Sequence, residues 1–78
     1  LARELAREGI RVVAIAPGIF ETPMVMSLRE AAREQIVNAV AFPKRMGKPR
    51  EYAQLVRHIC ENDMLNGAVI RIDAGART

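Results

Sequence analysis

A chain of 78 residues, half of them apolar and 27% charged, is one small globular domain or part of a larger one, and its composition excludes disorder. The net charge is only +3, and the twelve basic residues alternate with nine acids along the chain, as in Arg3/Glu4, Arg7/Glu8 and Arg29/Glu30. No basic stripe forms and only Phe20, Phe42 and Tyr52 are aromatic, so nucleic acid is not an expected partner; no apolar run of about 18 residues spans a membrane.

In chain order, Leu1 to Glu8 read as helix from the first residue, with no Met and no leader ahead of them, so the sequence reads as a fragment that begins inside an element. Gly9 suits the left-handed position after a helix. Residues 10–16 (Ile-Arg-Val-Val-Ala-Ile-Ala) form a nearly continuous apolar run, the pattern of a parallel strand covered on both faces. Pro17 has no donor for a ladder and Gly18 has no Cβ, so the strand stops there. The turn then lies at the carboxyl end of a parallel strand, where open α/β sheets bind ligands. A glycine backbone lets a flat cofactor ring approach, and Thr22 supplies a hydroxyl; Thr22 could instead cap a short helix.

A second helix is expected from Ser27, with Glu30 completing a capping box, to the Ala41-Phe42-Pro43 break. Two prolines and a glycine in Pro43-Lys44-Arg45-Met46-Gly47-Lys48-Pro49 mark an ordered connector, in which Arg45 is read as an anchor rather than a contact to a CoA phosphate. Pro49 opens a helix over about residues 49–61, with Tyr52, Ala53, Val56, Ile59 and Cys60 on its apolar face. Cys60 is expected as a small core residue and His58 as a solvated one. Being the only cysteine, Cys60 excludes an internal disulfide or a cysteine metal cluster, and a reducing compartment follows. Turn chemistry at Asn66-Gly67 leads into a last strand over residues 68–73, where Arg71 leaves one face partly open or facing a partner. The two strands, joined by a helical crossover, are expected to lie parallel and adjacent.

The ordered set of the 10–16 strand, Pro17-Gly18, Thr22-Pro23, Pro43-Lys44-Arg45-Met46-Gly47, the Pro49 helix, Asn66-Gly67 and Val69-Ile70-Arg71-Ile72-Asp73-Ala74-Gly75 resembles the C-terminal third of a short-chain dehydrogenase/reductase. The resemblance covers essentially the whole chain and is strongest to the group acting on 3-hydroxyacyl-CoA thioesters. It implies the C-terminal portion of a Rossmann-type doubly wound parallel sheet of the α/β class, with residues 1–78 as a fragment of one NAD(P)-binding domain and residues 23–48 as its substrate-loop region. It implies NAD as cofactor, oxidation of a secondary alcohol to a ketone, and an acyl-CoA or steroid-like small-molecule substrate. A homo-oligomer, typically a tetramer, would use the last strand and the Pro49 helix. The compartment would be the cytoplasm for a bacterial source or the mitochondrial matrix for an animal one, with no secretion.

Carried over, the resemblance places Pro17 and Gly18 at the nicotinamide end of the pocket. Ile19 would offer its backbone to the carboxamide and Phe20 would pack beside the cofactor, although Phe20 serves equally as loop core. The Thr22 hydroxyl would reach the carboxamide or pyrophosphate region, and Met24 and Met26 would lie in the substrate lid. The family's Tyr-x-x-x-Lys motif is not in this sequence, since Tyr52 is followed four residues later by Val56, and the only serine is Ser27. No catalytic residue and no metal ligand is therefore assigned. Two alternatives stand: a hydroxysteroid or 3-oxoacyl-thioester reductase of the same family, and a non-catalytic oligomerisation module. With two strands and few core residues, the 78 residues alone are expected to be unstable or to self-associate.

Overall fold

The computed structural model describes residues 1–76 and has the element order α1 (Ala2–Ala6), β1 (Ala14–Pro17), α2 (Pro23–Met26), α3 (Glu30–Asn38), α4 (Pro49–Glu61) and β2 (Val69–Ile72). The chain is α/β, and β1 and β2 pair in parallel with Ala14 opposite Val69 and Pro17 opposite Ile72. Behind α1, Gly9 takes a φ of 73°. Its N–H bonds the Ala6 carbonyl at 3.0 Å while the Ile10 N–H reaches back to Leu5 at 3.2 Å. This is the double closure by which a left-handed glycine satisfies a helix's last carbonyls.

The first strand is shorter than the 10–16 run and ends one residue later, at Pro17. Its partner sets the length. Gly67 turns at a φ of 70°, so β2 offers backbone only from Ala68 onward, where the Ala68 carbonyl accepts from the Ala14 N–H at 3.0 Å. Upstream, Asn66 stands in for a strand: its Oδ1 accepts from the Val12 N–H at 3.0 Å, and Gly67 donates to the Val12 carbonyl at 2.8 Å. At the other end the Gly18 N–H donates to Ile72 at 3.0 Å. Donors alternate along a strand, so the missing N–H of Pro17 falls on the edge away from β2 and costs the ladder nothing.

Ser27 does not start the second helix. Thr22 starts one earlier, its Oγ1 accepting from the Val25 N–H at 3.3 Å with Pro23 in the first helical position. Ser27 instead closes this short α2, donating to the Met24 carbonyl at 2.7 Å. Its hydroxyl is thus committed backwards, and α3 begins at Glu30 behind Arg29 without a side-chain cap. That helix stops at Asn38, three residues before Ala41; the Ala41 and Phe42 N–H groups both donate to the Ala74 carbonyl, at 2.9 and 3.1 Å.

The fourth helix has the expected bounds, but its buried stripe is rotated. Tyr52, Leu55 and Ile59 are half-buried, while Ala53, Val56 and Cys60 are exposed. Cys60 is therefore not a core residue. Only one narrow stripe of the helix is partly covered, and among the described residues nothing covers the adjacent one. His58 is exposed, as expected, and so is Arg71, which forks onto Asp73 Oδ2 at 2.6 and 2.9 Å.

Val40, 4% exposed, is the one buried hydrophobic among the described residues. The radius of gyration is 15.4 Å and the extents are 49 × 21 × 18 Å. A compact domain of this length has a radius near 11.5 Å. The accessible surface of 6216 Å² likewise exceeds the roughly 4,700 Å² of a compact monomer of this mass. Secondary structure and strand pairing are in place without an enclosed interior.

Candidate functional site

Where β1 ends, the chain runs along an open groove of roughly 490 Å³ lined by Pro17, Gly18, Ile19, Phe20, Thr22, Val25, Pro49 and Tyr52. All five residues singled out in the sequence lie on it. The sequence reading did not place Val25, Pro49 or Tyr52 there. Val25 arrives because Thr22 starts a helix, and Pro49 and Tyr52 because the first turn of α4 faces the end of β1.

At Gly18 the structure shows a close approach that the sequence does not signal. A Cβ on it would lie 2.6 Å from the Cβ and 2.8 Å from the Cα of Asp73. Its missing side chain lets the turn pass over the end of β2, and Gly18 also lines the groove. Asp73 is fixed in turn by Arg71 and by the Gly75 N–H, which reaches its Oδ1 at 3.0 Å. The Arg71 hydrogen bonds, foremost, hold the Asp73 carboxyl below its ordinary pKa, against the opposing effect of burial.

Beyond Gly18 the backbone leaves the sheet and bridges to the connector, with Phe20 opposite Gly47. Gly47 donates to the Ile19 carbonyl at 2.9 Å and accepts from the Glu21 N–H at 2.8 Å. The Phe20 ring lies on Gly47, where any Cβ would overlap it, and meets Tyr52 edge to face with ring centres 5.8 Å apart. Phe20 is thus loop core and also forms part of the groove wall.

The connector is held by charge. Arg45 forks onto Glu51, with Nη1–Oε1 at 2.7 Å and Nη2–Oε2 at 2.9 Å, and Glu51 Oε1 also accepts from the Lys48 N–H at 2.8 Å. These bonds, the Arg45 fork first, pull the Glu51 carboxyl down to about 2, and the same fork raises the Arg45 pKa. Arg45 therefore acts as the anchor expected of it. A smaller cavity of roughly 200 Å³ lies behind the turn, bordered by Phe20, Val40, Arg45, Glu51 and Asp73.

The groove offers hydrogen-bond donors along one edge. Among the described residues, neither the Ile19 nor the Phe20 N–H donates to another protein group. The Ile19 carbonyl already has a partner, so its free donor is the amide. The Thr22 oxygen accepts from Val25, and a hydroxyl that accepts one bond keeps its own hydrogen to donate. Capping and ligand contact are compatible at Thr22. Among the described residues no three His, Cys, Asp or Glu side chains converge on a metal-sized site, and no helix is long and apolar enough to cross a membrane.

Residues 1–77 match the family described as Enoyl-(Acyl carrier protein) reductase. The chain is 53% identical to 3-hydroxyacyl-CoA dehydrogenase type-2 of Mus musculus over 77 residues, and 51% identical to that of Drosophila melanogaster over the same length. In both cases 99% of this chain is covered and 30% of the relative. The crystal structure of 3-hydroxyacyl-CoA dehydrogenase type-2 from Mycobacterium avium superposes with a TM-score of 0.94 at 40% identity, again over 99% of this chain and 30% of that one. The chain spans about 30% of the length of the relatives it matches.

Proposed function

The chain belongs to the short-chain dehydrogenase/reductase family, and from that premise we propose that it is the C-terminal part of an NAD-dependent dehydrogenase converting 3-hydroxyacyl-CoA to 3-oxoacyl-CoA. The observation that carries the reading is the groove. It gathers two unengaged amide donors, a hydroxyl with its hydrogen to give and an aromatic wall at the carboxyl end of a parallel strand. The similarity to the 3-hydroxyacyl-CoA dehydrogenases supports the substrate class.

In this reading the Ile19 N–H orients the nicotinamide carboxamide, the Phe20 ring closes the side of the site and the Thr22 hydroxyl donates to the carboxamide or pyrophosphate. The bound dinucleotide supplies the hydride acceptor, so that the alcohol carbon loses a hydride and the alcohol oxygen a proton. The proton relay belongs to the family's Tyr-x-x-x-Lys pair, which is not in this sequence. Tyr52 does not replace it: its ring is spent on Phe20, and no lysine follows it at the required spacing. The part played by these residues is orientation of the cofactor and, through exposed Met24 and Met26, contact with the substrate's acyl chain.

The exposed Val56 and Val69 support an oligomer that buries α4 and β2. They equally favour the second reading, a non-catalytic oligomerisation module. One experiment separates the two: titration of NADH into the complete dehydrogenase polypeptide, followed by an assay with 3-hydroxyacyl-CoA, 3-oxoacyl thioesters and hydroxysteroids. Fluorescence enhancement of NADH and turnover of the CoA thioester are expected. An oligomer that binds no dinucleotide would leave the module reading in its place.

A further inference from the structure

We propose that Arg45 and Glu51 are positioning residues for the dinucleotide-facing turn, acting on it through Gly47; the inference rests on the cofactor reading above. Past Gly18 the turn has left the sheet, and two backbone hydrogen bonds locate it, from Gly47 to Ile19 and from Glu21 to Gly47. The amides of Ile19 and Phe20 therefore point wherever Gly47 lets them.

Gly47 lies between helices, and its own place is set by Glu51. One carboxylate grips both sides of it: Arg45, two residues before, by a two-point fork, and the Lys48 N–H, one residue after. Arg45 Nη1 also donates to the Met46 carbonyl at 3.1 Å, which ties the fork to the backbone next to Gly47. The planar guanidinium fixes direction as well as distance, which a lysine would not do. Neither side chain lines the groove; both border the smaller cavity behind the turn. Their influence passes through the Gly47 backbone and through the Phe20 ring resting on it.

The test compares two ligands in the complete dehydrogenase polypeptide. NADH reaches the Ile19 turn with its nicotinamide half, whereas ADP-ribose lacks the nicotinamide. Arg45→Ala and Glu51→Ala are expected to weaken NADH by roughly tenfold, since small misplacements of a positioning group carry losses of that order and above. ADP-ribose affinity, measured by calorimetry, is expected to stay unchanged. Arg45→Lys, which keeps the charge without the fork, is expected to fall between wild type and Arg45→Ala, and it carries the test if the alanine variants do not fold. Equal weakening of both ligands, or NADH affinity unchanged in the variants, would overturn the inference. A wild type that binds neither ligand would overturn the cofactor reading itself.

Discussion

Arg11, at the start of the apolar run, holds the far end of α4: three carbonyls share the two hydrogens of its Nη1, the nearest that of Ile59 at 2.9 Å. The others go to Asn62 and Leu65 at 3.1 Å, and Nη2 adds Cys60 at 3.2 Å. A cation thus satisfies carbonyls that the helix leaves open and sits at the negative end of its dipole. With Glu51 at the other end, α4 is tied at both termini, to the start of the apolar run and to the connector.

Replacing Arg11 by alanine should therefore destabilise the complete protein by about 1–2 kcal/mol, the lower part of the range for hydrogen bonds to a charged group because the site is partly open to solvent. Urea unfolding of Arg11→Ala against wild type measures it. An unchanged midpoint would mean that water replaces the guanidinium without loss.

Gly9 and Gly18 should respond to alanine for opposite reasons. At Gly9 nothing lies within 4 Å of an added Cβ, but the φ of 73° is unfavourable for any other residue. A loss of about 1 kcal/mol is expected there. At Gly18 the Cβ runs into Asp73, including its backbone, so the end of β1 must lift from β2 at a cost of about 1–3 kcal/mol. Thermal melts give both values. NADH affinity should fall only for Gly18→Ala, because Gly9 is outside the groove.

Ala74 holds a φ of 53°, a left-handed conformation that costs a Cβ-bearing residue roughly 1–2 kcal/mol. It stays there because its carbonyl accepts from both Ala41 and Phe42. Ala74→Gly should raise the melting temperature, with a net gain of about 1 kcal/mol once glycine's greater unfolded-state freedom is subtracted.

Glu51 should give the protein an acid-sensitive component of stability. Its carboxyl falls from an ordinary 4.5 to about 2 in the folded state, with the Arg45 fork as the largest cause. A lowered folded value means stability that is fully present above about pH 4.5 and lost as the pH falls toward 2. Urea midpoints of wild type and Glu51→Gln should accordingly differ at neutral pH and converge across that window. A constant gap would place the effect elsewhere.

Expressed alone, the 78 residues should not melt cooperatively as a dilute monomer. One buried hydrophobic side chain among the described residues and two open sheet edges offer too little to offset chain entropy. Sedimentation and calorimetry should show self-association or a broad transition; a sharp monomeric melt would contradict this.

The sequence by itself determined the features whose causes are local. Pro49 marks the start of α4 because proline's fixed φ suits a first helical turn, and Gly9 marks the end of α1 because only glycine enters the left-handed turn freely. The apolar runs around Ala14–Pro17 and Val69–Ile72, joined by helices, announced a parallel pair, and Pro17-Gly18 announced where it stops. Five of the eight groove residues could be named because they fall within one six-residue stretch, Pro17 to Thr22.

Tertiary structure decided whatever depends on a distant partner. Ser27 and Thr22 are both good caps, and only the closing of α2 shows which hydroxyl turns which way. The ladder begins at Ala14 because Gly67, more than fifty residues on, turns the partner strand there. Gly18 is needed for Asp73, Gly47 for Phe20, and Cys60 lies on the uncovered side of α4. None of these leaves a periodic or compositional signal, since each is set by the approach of two surfaces far apart in the chain.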